Sequence, residues 1–210
     1  MLAYALQYYG KLLEALGEHI GLLFGGLGLG VLCSGALVFL MYRFRCLRTP
    51  VMVLLQILYT VPSLAFFALL IPFTGLGMRT AVIVLSAYSL FFLVRSFVDG
   101  MDGLDGRIVE AGEAMGYTPW QLFYQIQLPL CLPSMVSGIR VASISTVGIS
   151  CIAYTVGAGG IGSVLFEGMR QLSYVKILWG ALLAVFLSTV LHLSLMRLER
   201  HCQQRLHLEG

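Results

Sequence analysis

EAGEAMGYTPWQLFYQIQLP, Glu110 to Pro129, is a polar island between uncharged stretches that are each long enough to cross a bilayer. Asp105 to Met115 reads as a short helix, with the Asp105 carboxylate near its N-terminus, where negative charge is favoured. Gly116 permits a sharp turn. Thr118 is suited to cap a second helix and Pro119 to occupy its first turn. Leu128-Pro129 is expected to end that helix, and Pro133 falls near the start of the next apolar segment. The spacing therefore predicts a helix-turn-helix knob outside the membrane.

Outward from the knob, the chain is 59% hydrophobic and 11% charged over 210 residues, with a mean hydropathy of +0.89. That composition belongs to integral membrane proteins. Ile20 to Tyr42, Thr49 to Gly77, Val141 to Phe166 and Ile177 to Met196 contain no Asp, Glu, Lys or Arg. Each reaches the roughly 20 residues that about 30 Å of hydrocarbon requires. Thr80 to Val94 is shorter, but Arg95 can snorkel at its end. The expected fold is all-α, with about five transmembrane helices.

Orientation follows from the basic residues. With the N-terminus outside, Arg43, Arg45, Arg48, Arg95, Arg107, Arg140, Arg197, Arg200 and Arg205 face the cytoplasm, against Lys11, Arg79, Arg170 and Lys176 outside. The knob is then cytoplasmic. The net charge of +3 reflects this topology and implies no nucleic-acid partner. Five cysteines, an odd number, mostly within or beside spans, suggest neither a disulfide framework nor a metal site. The N-terminus lacks a basic segment before its apolar run, so no cleavable signal is expected. The division predicted is an interfacial helix over 1–19, a transmembrane domain over 20–196 containing the loop 99–130, and a cytoplasmic tail over 197–210.

Leu2, Leu6, Tyr9, Leu13, Leu16 and Ile20 recur at helical spacing opposite Gln7, Lys11, Glu14 and Glu18, the pattern of an amphipathic helix at the outer interface. Six glycines between Gly21 and Gly35 predict close helix packing. In the second span Pro62 removes a helical hydrogen bond, and Thr60 or Ser63 is placed to satisfy the freed carbonyl. Such a break suits either a kinked structural helix or a transport path that includes Tyr59, Pro62 and Ser63. Ser143, Thr146, Ser150 and Tyr154 share one helical face. The stripe is expected to line a path between two subunits, the alternative being hydroxyls that bond to preceding carbonyls or to neighbouring helices.

Glu110-Ala111, Gly116 six residues after Glu110, and then Ile126, Leu128 and Pro129 resemble the coupling loop of ABC importer permeases. Further motifs are similar to the osmoprotectant group, whose importers carry glycine betaine, carnitine and choline: YTVPSLA (residues 59–65), LIP (70–72) with GLG (75–77), GIR (138–140) and GAGGIG (157–162). The likeness covers roughly residues 50 to 170. It implies a type I importer permease in the bacterial cytoplasmic membrane, with Glu110 and Ala111 on a face that docks into an ATPase subunit and Gly116 at the turn. It also implies a second permease copy or a paralogue, two ATPase subunits that bind ATP and Mg, and an extracytoplasmic binding protein that selects the solute. The chain itself is expected to be non-catalytic and to hold no cofactor. Gly112 departs from the Glu-Ala-Ala core and should weaken the helix by about 1 kcal/mol relative to Ala.

Methionine importer permeases share the five-span size and a Gly-rich segment, so they are the alternative solute class. A channel or secondary transporter is disfavoured because Asp99, Asp102, Asp105, Glu110 and Glu113 all belong to the cytoplasmic region, leaving no acidic relay in the spans. The GAGGIG string follows a membrane helix rather than a strand, so a dinucleotide site is not expected. A Ser150/His192 hydrolase dyad is rejected because the two differ in depth by about 12 Å at the helical rise. His192 is expected near the cytoplasmic interface, hydrogen-bonded to a neighbouring helix.

Overall fold

The structure, a computed structural model, describes residues 2–205; Met1 and residues 206–210 of the expected tail lie outside the described residues. The described residues are helical with no strand. Helix α1 (Leu2–Arg43) bends at Tyr8, where the dihedrals leave the helical range, and otherwise runs without interruption from the expected interfacial segment into the first span. Helix α4 (Met78–Asp102) lies at the centre, between α1 and α7 (Leu128–Ile152). Helix α8 (Ile161–Arg170) and α9 (Tyr174–Arg205) form a hairpin packed on α7 and α1. The most apolar stretch of α4 is 56% buried against 11% for α9, which makes α9 an outer helix of the bundle.

Within lipid the hydrophobic effect cannot drive helices together, so close packing and interhelical hydrogen bonds must. Gly30 shows the principle: a β-carbon there would collide with the Ser89 hydroxyl of α4. One turn away, the Ser86 hydroxyl donates to the Gly26 carbonyl at 2.9 Å across the same contact. The glycine-dense first span is thus the surface that receives α4.

The second span is broken rather than kinked. Helix α2 (Arg48–Thr60) and α3 (Ser63–Thr74) meet at 100° across Val61 and Pro62. Both linking residues are extended, with ψ of 129° and 128°, as expected of proline and the residue before it. The freed Val61 carbonyl is bonded by the Tyr88 hydroxyl from α4. The Val61 N–H turns to the Leu58 carbonyl at 3.2 Å, and the Thr60 hydroxyl bonds the Ile57 carbonyl that it leaves, at 2.7 Å, the part expected of Thr60 at the break. Among the described residues four helices are long and apolar enough to cross, and the bent α2–α3 pair meets the same test together, for up to five spans.

Two further expectations change. Leu128-Pro129 does not end the knob's second helix, α6 (Pro119–Leu122): a π-helical turn over Phe123–Gln127 carries it directly into α7. Proline has no N–H for the ladder, and a locally widened turn accommodates the lost bond. The uncharged stretch Val141 to Phe166 is not one span either. Helix α7 ends at Ile152, and a 3-10 turn and the Gly-rich segment separate it from α8.

Tyr88→Phe should leave the Val61 carbonyl unpaired in an apolar setting, at a cost of about 1–3 kcal/mol. Thermal unfolding of the detergent-purified protein checks this: Tyr88→Phe is expected to melt earlier than wild type. Tyr59→Phe, which leaves the break's hydrogen bond intact, is expected to melt with wild type.

Candidate functional site

The knob is built from local rules that the sequence states openly. Asp105 caps α5 (Gly106–Ala114) by accepting from the Arg107 N–H at 2.9 Å. The Arg107 guanidinium, and then its backbone N–H, hold the Asp105 carboxyl below the usual carboxylate range. At the other end Gly116 has φ of 84°, a conformation that favours glycine. Gly116 N–H bonds to the Glu113 carbonyl at 2.9 Å and Tyr117 N–H to the Gly112 carbonyl at 3.2 Å, the paired bonds of a Schellman C-cap. Thr118 and Gln121 then complete a capping box for α6, with Pro119 in its first turn.

Gly112 turns out to be a contact residue. It is the buried residue of α5, and a β-carbon there would collide with the Leu122 side chain and come within 3.2 Å of Ile126 Cδ1. The departure that seemed only to weaken the helix is where α5 and α6 meet. Around that contact the helix is open: Glu110 and Ala111 are exposed, as are Ile108 (41%) and Met115 (68%), which flank Gly112 on its own side of the helix. Ile108, Ala111 and Met115 are spaced three and four apart, an apolar stripe, and Glu110 lies on another exposed face of the same helix. Ile108 and Met115 escaped the sequence reading, although the same periodicity would have found them.

The knob is fastened to the bundle by aromatics. Tyr42, at the end of α1, donates to the Pro119 carbonyl at 2.8 Å. Its ring lies 4.1 Å from that of Phe123 and 5.6 Å from that of Trp120, and Trp120 stacks on Phe39 at 5.4 Å. Leu128 and Pro129 are half-buried at the π turn's junction with α7. A displacement of α6 therefore pulls on both α1 and α7.

The polar stripe of α7 is placed differently from its expected role. Ser143, Thr146 and Ser150 are 2%, 1% and 0% exposed, so they face the interior of the subunit and not a path between two subunits. Ser143 bonds back to the Ile139 carbonyl at 2.6 Å and Ser150 to the Val147 carbonyl at 3.0 Å. The outward face of α7 is instead Val141, Ile144 and Gly148. Helical spacing had identified one face correctly but could not say which way it turned. Tyr154 is half-buried at the outer end, its ring 5.7 Å from Phe166 and its hydroxyl bonded by Arg170.

Ser150 does have a histidine, and it is His19 of α1, at 2.8 Å. His192 is half-buried on α9 and has no hydrogen-bond partner among the described residues. The sequence could not bring His19 forward, since it lies 131 positions from Ser150. His19 Nδ1 accepts from the Ile161 N–H at 3.3 Å, so the ring proton sits on Nε2 and is donated to Ser150. That tautomer cannot take the serine's proton, and the pair is a structural node rather than a catalytic dyad. Beside it, the Glu18 carboxylate accepts from the Gly160 N–H at 2.7 Å. Two adjacent side chains of α1 thereby satisfy the first free N–H groups of α8, which every helix start exposes.

Tyr59, Pro62 and Ser63 gather at the α2–α3 break. Tyr59 stacks on Phe91 with ring centroids 5.0 Å apart and meets Phe92 edge-on at 5.0 Å. Pro62 is exposed, and Tyr59 and Ser63 are half-buried.

A helical bundle of about five spans, broken at one proline and carrying a rigid cytoplasmic knob, defines a membrane subunit of the type I importer architecture. The chain belongs to the family of binding-protein-dependent transport system inner membrane components, whose family model matches residues 26–208. It is 34% identical to the osmoprotectant import permease protein OsmW of Salmonella typhimurium, over 93% of this chain and 94% of that one. It is 31% identical to the carnitine transport permease protein OpuCB of Listeria monocytogenes, over 87% and 84% of the two chains. Its fold is similar to a chain of the MetNI methionine ABC transporter in an inward-facing conformation, with a TM-score of 0.85 at 23% identity, covering 93% of this chain and 98% of that one.

His19→Leu should leave the Ile161 N–H and the Ser150 hydroxyl without their partner. Hydrogen–deuterium exchange is expected to accelerate across residues 157–165 and stay unchanged across 105–122. Equal exchange in both segments would mean that the node does not hold α8.

Proposed function

We propose that this chain is the permease subunit of an ATP-driven importer for small quaternary-ammonium osmolytes such as glycine betaine, carnitine or choline, working by alternating access. The observation that carries the reading is the exposed surface of α5, with Ile108, Glu110, Ala111 and Met115. An apolar stripe on a rigidly capped helix outside the membrane suits a partner protein's cleft. The partner in this reading is an ABC ATPase, which binds ATP and Mg; this chain supplies no cofactor site and no catalytic group. A second permease, identical or paralogous, and an extracytoplasmic binding protein complete the machine.

Closure of two ATPase subunits would draw the two knobs together. Gly116 keeps the angle between α5 and α6, and the helical continuity through Leu128 and Pro129 passes the displacement into α7. Tyr42 passes it into α1. The path runs along the break, past Tyr59, Pro62 and Ser63. Aromatic rings there suit a cation that lacks N–H donors, because ring faces attract positive charge without hydrogen bonds. Ser143, Thr146 and Ser150 support the path from behind by fixing α7, and Tyr154 stands at its outer end. The solute class rests on the names of the relatives, which include a choline transport system permease of Bacillus subtilis.

The test is to purify the complex, reconstitute it, and measure ATP-dependent uptake of glycine betaine, with methionine as the comparison solute. Glu110→Lys and Gly116→Val are expected to insert normally and lose at least about tenfold in uptake, the scale of disrupting a buried charged contact. In Glu110→Lys the ATPase should also fail to co-purify. Wild-type uptake in both variants would sink the docking role. Transport of methionine without glycine betaine would overturn the solute class, and uptake driven by an ion gradient without ATP would overturn the importer reading.

A further inference from the structure

A cavity of about 380 Å³ opens at the end of the bundle that carries the knob, where α1, α4 and the π turn end. Its inner wall is apolar, from Val38, Met41 and Phe97, and Arg45, Arg48 and Gln127 supply its polar portion. Gln127 is only 8% exposed, yet its Oε1 has no hydrogen-bond partner. Arg48 is held by Asp102, which also lines the cavity. The Arg45 guanidinium has no ion pair or hydrogen bond among the described residues, and it also lines two neighbouring cavities of about 370 and 130 Å³. A buried acceptor without a donor and a cation without a counter-ion therefore line one cavity. The buried acceptor calls for a donor, since a buried unpaired polar atom is costly, and the exposed Arg45 offers a positive charge beside it.

We propose that this cavity binds the headgroup of an anionic phospholipid carrying a hydroxyl, with phosphatidylglycerol as its simplest form. Depth supports a lipid. The charges of α4 begin again at Arg95, and the cavity residues Phe97 to Asp102 follow within two turns, which is headgroup level for a helix leaving the hydrocarbon. Tyr42 and Trp120 stand at the same level, as aromatics do at membrane interfaces. The chemistry assigns the parts. Arg45 meets the phosphodiester, the unpartnered Gln127 oxygen accepts from the headgroup hydroxyl, and Val38, Met41 and Phe97 receive the first acyl carbons. The Asp102 carboxylate is neutralised by Arg48 and so leaves Arg45 as the net charge. Free phosphate would use the arginine but leave the apolar wall and Gln127 unmatched. Basic pockets between helices on the cytoplasmic side bind anionic headgroups in this manner.

The experiment uses the full chain in its purified complex and native mass spectrometry with dioctanoyl phosphatidylglycerol, dioctanoyl phosphatidylcholine or inorganic phosphate. Wild type is expected to retain phosphatidylglycerol and not phosphatidylcholine. Arg45→Gln and Gln127→Leu should each lower that occupancy about fivefold or more, the scale of one basic contact near a membrane surface. Arg79→Gln, on the outer side, should match wild type. Arg45 is exposed, so its variant decides the matter even where Gln127→Leu disturbs folding. Equal retention of the two lipids, equal retention in wild type and Arg45→Gln, or displacement of the lipid by equimolar inorganic phosphate would each overturn the site.

Discussion

Hydrocarbon offers no water to a backbone N–H or carbonyl, so every departure from helix near the membrane must find its hydrogen bonds inside the chain. This constraint organises the subunit. At the Val61–Pro62 break the donor is the Tyr88 hydroxyl. At the Gly-rich turn before α8 the acceptors are Glu18 and His19. In both places a side chain from another helix completes the irregular backbone, so the break and the helix that supports it cannot move independently. Alternating access requires helices that move as bodies, and these bonds define which pieces travel together.

The knob obeys different physics because water is available to it. Its bonds are local: Asp105 to Arg107, Gly116 to Glu113, Thr118 to Gln121. Such caps make a short helix rigid without a core beneath it. Away from the caps, Gly112 against Leu122 sets how closely α5 approaches α6. The knob is clamped at Tyr42 and continuous with α7, so its position is tied to both α1 and α7.

The polar groups inside the bundle divide by what they touch. Ser143 and Ser150 bond to carbonyls of their own helix, and Ser150 also joins α7 to α1 through His19. These are holding contacts. The aromatics around Tyr59 are of another kind, since they pack ring on ring beside an exposed proline at the break. Helix α4 serves both, with Ser86 and Tyr88 in hydrogen bonds and Phe91 and Phe92 against Tyr59.

What the sequence determined by itself was most of what depends on neighbours in the chain, the π turn before Leu128-Pro129 excepted. The caps at Asp105 and Thr118, the turn at Gly116, the apolar stretches and the sidedness of the arginines are local signals, each written within a few residues. What only the tertiary structure decided was direction and partnership. The face shared by Ser143, Thr146 and Ser150 was legible from a 3.6-residue period, but a period carries no information about which neighbour a face meets. The partnership of His19 with Ser150 and Ile161 was likewise hidden, as was the role of Gly112. Contacts between distant segments are fixed by packing, and packing depends on shapes from several helices at once rather than on any one stretch of sequence.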